Sequence, residues 1–133
     1  MGNEYSVVCL ECREEFSVGK LLFEMLPNGD CRRQFGGSGT SATNWNRYRL
    51  YGDELRRVVE GFLILHVGHE LTFLSDSALD RADFDVREVE DEEVERRLIE
   101  LSNRSQEKWI DFTVVSPSLA RRMQEIRDGA GSQ

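Results

Sequence analysis

Asp53-Glu-Leu-Arg-Arg-Val-Val-Glu-Gly-Phe-Leu-Ile-Leu-His-Val-Gly-His-Glu-Leu-Thr-Phe-Leu74 is the stretch that decides the fold. Within it, Leu55, Val58, Val59, Phe62, Leu63 and His66 recur at three- and four-residue intervals. That period predicts a helix from Asp53 to about Val67 with one apolar face. Gly68 stands where a glycine ends a helix in the left-handed conformation. Glu70 to Leu74 then reads as a strand, so a helix passes the chain directly to a strand and both need one core.

Working outward, Tyr5 to Leu10 alternates Tyr5/Val7/Cys9 against Ser6/Val8/Leu10, which predicts a first strand. Lys20 to Leu26 reads as a second strand, with a short helix as the competing reading. It enters a turn at Pro27-Asn28-Gly29-Asp30, where proline fixes φ and Asn-Gly tolerates positive φ. Downstream, Ser75-Asp76-Ser77 closes the strand after the main helix. Asp91 to Leu101 carries Val94, Leu98 and Leu101 at helical spacing, and Trp109 to Val115 alternates as a strand. Ser116-Pro117 is a cap followed by proline at the first helical position, and Leu119, Met123 and Ile126 give the last helix an apolar stripe. The Gly/Ser-rich segment from Gly36 is expected to be a mobile loop over about 36–44, and residues 129–133 a disordered tail. The sum is one small α+β domain over 1–128, a mostly antiparallel sheet covered by two or three helices.

The chain has 133 residues, near the common size of one domain. Its formal charge of −8 disfavours a general affinity for nucleic-acid phosphate or anionic membrane. The longest unbroken apolar run, Phe62 to Leu65, is far short of the ~20 residues a spanning helix needs. Met1 to Tyr5 lacks a basic segment followed by an apolar one, so the expected location is cytoplasmic. A reducing compartment favours a metal site or free thiols over a disulfide.

The chemistry concentrates in two pairs. The two histidines of the chain sit as His66-Val67-Gly68-His69, and two of its three cysteines as Cys9-Leu10-Glu11-Cys12. Both pairs have the spacing of a metal half-site, and Zn²⁺ takes a tetrahedron of such sulfur and nitrogen ligands. The expected site is therefore a structural Cys2His2 centre of Cys9, Cys12, His66 and His69, with Cys31 as an alternative third sulfur. A core histidine at His66 and a small buried hydrophobe at Cys9 form the competing reading. Thioredoxin-type chemistry is disfavoured because the Cys-x-x-Cys follows a strand and has acidic neighbours. A zinc hydrolase would need an open metal position near Glu70.

Phosphate-loop and nucleophile-elbow motifs are absent. Trp45, Tyr48 and Tyr51 have a three-residue spacing that reads as a short helix on the core. Trp45, Arg47, Tyr48 and Arg49 also read as a partner-binding edge. The acidic run from Glu88 to Glu95 reads as a solvated helix start, with Glu92 and Glu93 as candidates for meeting a basic protein.

Cys9-Leu-Glu-Cys12 together with Phe62 through Asp76 resembles small, functionally unassigned bacterial proteins that pair an N-terminal Cys-x-x-Cys with a helix ending in His-x-Gly-His. The resemblance implies that the two pairs belong together and supplies no activity. The sequence is read as a small zinc-binding, non-enzymatic protein-interaction domain. The alternatives are an acidic inhibitor or immunity-type protein that binds a basic nuclease or mimics nucleic acid, and a zinc-dependent hydrolase.

Overall fold

A computed structural model describes residues 4–41, 44–50, 52–107 and 113–131. The strands β1 (Glu4–Cys9) and β2 (Glu14–Met25) form an antiparallel hairpin in which Cys9 faces Glu14 and Val7 faces Phe16. Four loop residues join them. The loop closes through the Arg13 amide on the Cys9 carbonyl (3.0 Å), and Arg13 takes a left-handed φ of 55° to turn the chain into β2.

β2 is long enough to change partners along its length. Its first residues pair in parallel with β6 (Arg87–Glu88), and its last six with β3 (Cys31–Ser41). The expected turn at 27–30 joins β2 to β3. β3 continues into an antiparallel pair with β4 (Asn44–Leu50), and β5 (Leu71–Ser75) lies against β1. The strand order is β4-β3-β2-β1-β5, with β6 branching from β2. Apart from β6 the pairings are antiparallel, and the chain is an α+β fold.

Helix α1 (Gly52–Leu65) lays the predicted apolar stripe on the sheet, burying Leu55, Val58 and Phe62, with the Phe62 ring 6.1 Å from that of Phe16. Helix α3 (Asp91–Glu107) packs beside α1 so closely that a Cβ at Gly61 would stand 3.0 Å from Val94 Cγ1. Phe16, Val18, Leu55, Val58, Phe62, Val89 and Val94 make one buried cluster. The short helix α2 (Asp76–Ala82) touches β1 and β5 and buries Leu79. Helix α4 (Pro117–Gly131) keeps Met123 and Ile126 57% and 58% exposed. Among the described residues no helix is long and apolar enough to cross a membrane.

The structure corrects several expectations. The segment expected as a mobile loop over 36–44 carries the end of β3 and the start of β4. Its glycines give no side-chain pattern, but their backbone pairs with β2 and β4. The helix expected over Trp45 to Tyr51 is strand β4 through Leu50, because backbone pairing with β3 wins over three-residue spacing. The expected strand from Trp109 falls on residues 108–112, outside the described ones, and Thr113 to Val115 are not in a strand. Ser75 opens a helix as well as closing a strand: its hydroxyl accepts from the Ala78 amide at 3.2 Å. Within the expected disordered tail, Gly129 to Gly131 belong to α4.

Candidate metal centre

Because Cys9 and Glu14 are register partners, their side chains stand side by side on the face that α1 covers, at the sheet end nearest the C-terminus of α1. The loop then brings Cys12 back over Cys9. The Cys12 amide donates to Cys9 Sγ at 3.4 Å. Beyond α1, Gly68 takes φ +85° and throws the chain back, so that His69 reaches the same place. His69 Nδ1 lies 3.5 Å from Cys9 Sγ and 3.4 Å from Cys12 Sγ. Residues 57 and 60 positions apart thus present two sulfurs and one nitrogen to a common centre. These three residues could hold a metal ion.

His66 stands one step aside. It is 1% exposed, with its ring tilted against that of Phe62 at 4.2 Å and edge-on to His69 at 6.0 Å between centroids. Nδ1–H donates to the Phe62 carbonyl at 2.7 Å, and Nε2 faces Glu14 Oε1 at 3.1 Å. His66, Glu14 and Cys12 form a second group of convergent donor atoms that shares Cys12 with the first. Of the four expected ligands, three meet directly and the fourth adjoins them through Cys12. Cys31 is far from this place in the fold: it is exposed on the β2–β3 hairpin with its sulfur against Met25 Sδ.

Glu14 explains why the first group is the better metal seat. Burial raises its proton affinity, but hydrogen bonds from His66, Arg97 and Arg87 outweigh that and hold the carboxyl below the usual range. Arg97 reaches both carboxylate oxygens at 3.0 Å, and Arg87 reaches the second. A metal ion bound by Glu14 would sit beside two guanidinium groups, which repel it. The Cys12 thiol is pushed up to about 11 by burial, by the neighbouring Cys9 and by the charge of Glu14. That is the opposite of an activated redox thiol, and a cation between the sulfurs would reverse it.

Glu11, between the two cysteines, was not singled out in the sequence as a site residue, nor was Glu14. Glu11 Oε2 accepts from the Glu70 amide at 2.7 Å and from the Ser116 hydroxyl at 2.7 Å. The Ser116 contact is the main reason its carboxyl lies below the usual range, burial opposing and the Glu70 amide assisting. The only sequence signal for Glu14 is a carboxylate at the start of a strand whose apolar neighbours alternate.

The expected partner residues are scattered. Trp45, Arg47, Tyr48 and Arg49 lie on β4, at the end of the strand order, and their side chains fall outside the described ones. Glu92 is exposed on α3. Glu93 is bound by Arg87 at 2.8 and 2.9 Å, and Glu95 and Glu100 pair with Arg57 and Arg96. Glu70, expected to mark an open catalytic position, faces Arg122 at 3.6 Å. No family model, curated protein or solved structure matches the chain.

Proposed function

We propose that the chain is a zinc-binding, non-enzymatic protein-interaction domain whose Cys9, Cys12, His66 and His69 form a structural Cys2His2 centre. The observation that carries this reading is the pair of S···N separations, 3.5 and 3.4 Å, at His69 Nδ1. Zn–S bonds near 2.3 Å and Zn–N bonds near 2.0 Å at tetrahedral angles give an S···N edge of about 3.5 Å. Two thiols and an imidazole also suit zinc over hard cations, which take oxygen ligands.

His66 supplies the fourth ligand by exchanging Glu14 for the ion at Nε2. Its Nδ1–H bond to the Phe62 carbonyl is the kind of contact that orients a ligating histidine. When bound, zinc cross-links the β1–β2 loop to the turn after α1 and contributes folding free energy. Four protein ligands leave no position for a water nucleophile, and Glu70 turned toward Arg122 fits that closed role. Free thiols suit a reducing, cytoplasmic setting. The exposed stripe of Met123 and Ile126 supports work through protein contacts. The arginine partners of Glu93, Glu95 and Glu100 take weight from the acidic-inhibitor reading.

Elemental mass spectrometry of purified, tag-free protein, with melting before and after chelation, tests the centre. One zinc per chain, lost together with stability, is the expected result. Cys12→Ser and His69→Ala each lower stability by several kcal/mol, about the loss expected for a structural zinc ligand. Unchanged melting in both variants overturns the centre.

A further inference from the structure

We propose that Glu11 is a positioning residue that couples occupancy of the metal centre to the seating of α4; this rests on the zinc reading above. Three polar contacts tie the start of α4 to the body, and each ends on one of the two turns that carry the metal ligands. The Ser116 amide donates to the Gly68 carbonyl at 2.9 Å, and the Ser116 hydroxyl donates to Glu11 Oε2 at 2.7 Å. Arg122 faces Glu70 at 3.6 Å. Glu11 lies between Cys9 and Cys12, Gly68 between His66 and His69, and Glu70 directly after His69.

The same carboxylate oxygen of Glu11 takes the Glu70 amide, so one atom bridges both ligand turns and α4. Ser116 is also the cap of α4, its oxygen accepting from the Leu119 amide at 3.1 Å. A hydroxyl that caps a helix while donating to a half-buried carboxylate fixes where that helix starts and how it is aimed.

The seat matters because, among the described residues, little else packs against α4. Its residues 117–129 are exposed except Leu119, which is half-buried. A helix of 15 residues without packing is marginal in water. Zinc holds the Cys-x-x-Cys loop and the His69 turn in one geometry, and therefore holds Glu11 at the distance from Glu70 and Ser116 that the bridge requires. Without zinc the two turns lose their common centre, and the stripe of Leu119, Met123 and Ile126 loses its fixed orientation. The device would make presentation of that apolar face depend on metal.

Hydrogen exchange of the full chain, read by mass spectrometry with zinc content measured in parallel, tests this. In zinc-loaded protein, Glu11→Ala is expected to raise exchange of amides 119–128 about tenfold while β2 amides stay protected and zinc stays at one per chain. Glu11→Gln, which keeps an acceptor oxygen, restores most of the protection. Chelation of the unmodified protein raises α4 exchange at least as much as Glu11→Ala does. One zinc per chain with α4 exchange unchanged by Glu11→Ala or by chelation overturns the coupling alone. Protein that takes up no zinc overturns the coupling together with the metal centre.

Discussion

Gly68→Ala is the sharpest test of how the C-terminal segment sits on the turn between the histidines. Gly68 has φ +85°, and a Cβ there would stand 2.1 Å from the Val114 carbonyl oxygen. Two costs follow. Holding alanine in the left-handed region costs about 1–2 kcal/mol. The collision forces Val114 away and breaks the bond from the Ser116 amide to the Gly68 carbonyl, about 1 kcal/mol more. Together they amount to about 2–3 kcal/mol.

Gly29 supplies the internal control, because its φ is +89° with nothing within 4 Å of the added Cβ. Gly29→Ala therefore carries the conformational cost without the collision. Urea denaturation followed by far-ultraviolet circular dichroism compares the two. With urea slopes of about 1–3 kcal/mol/M, the Gly68→Ala midpoint falls about 0.3–1 M below that of Gly29→Ala. A Gly68→Ala midpoint equal to or above that of Gly29→Ala refutes the close approach of residues 114–116 to this turn.

Phe62→Ala removes a fully buried ring from the central cluster and is expected to cost about 3–5 kcal/mol, read as a lowered melting temperature. Gly61→Ala improves helix propensity by ~1 kcal/mol but crowds Val94 Cγ1 at 3.0 Å, so it destabilises; in a Val94→Ala background the same change becomes stabilising. A double-mutant cycle by denaturation that finds no such reversal would contradict the α1–α3 contact. Acid weakens the fold through Glu93, whose carboxyl lies below its ordinary 4.5, chiefly because Arg87 hydrogen-bonds it. Its stabilisation is complete above that unfolded value and lost as pH falls through the lower folded one, so Glu93→Gln flattens the stability curve on the acid side. Denaturation midpoints from pH 6 to about pH 3 check this, and an unchanged acid slope in the variant refutes the pairing.

Much of this architecture is legible in the chain because periodicity reports the faces of single elements. The stripe of Leu55, Val58 and Phe62 gave α1 its buried side, the alternation of Tyr5, Val7 and Cys9 marked β1, and Ser116-Pro117 opened α4. Periodicity carries no information where side chains are missing or patterns compete. The glycines of β3 have no side chains to alternate, and only cross-strand hydrogen bonds make that segment a strand. In β4 two spacings coexist, and pairing with β3 selects one.

The site divides in the same way. The i, i+3 spacing of Cys9 with Cys12 and of His66 with His69 is a local property, and it marked both pairs. Which histidine meets both sulfurs was decided by the tertiary structure: Gly68 turns His69 toward the cysteines, while the helix directs His66 inward to Glu14. The roles of Glu14 and Glu11 likewise arise from contacts with Arg97, 83 residues away, and with Ser116, 105 residues away. Strand register and helix docking fix such distances, because they are properties of the packed core and not of any window of the chain.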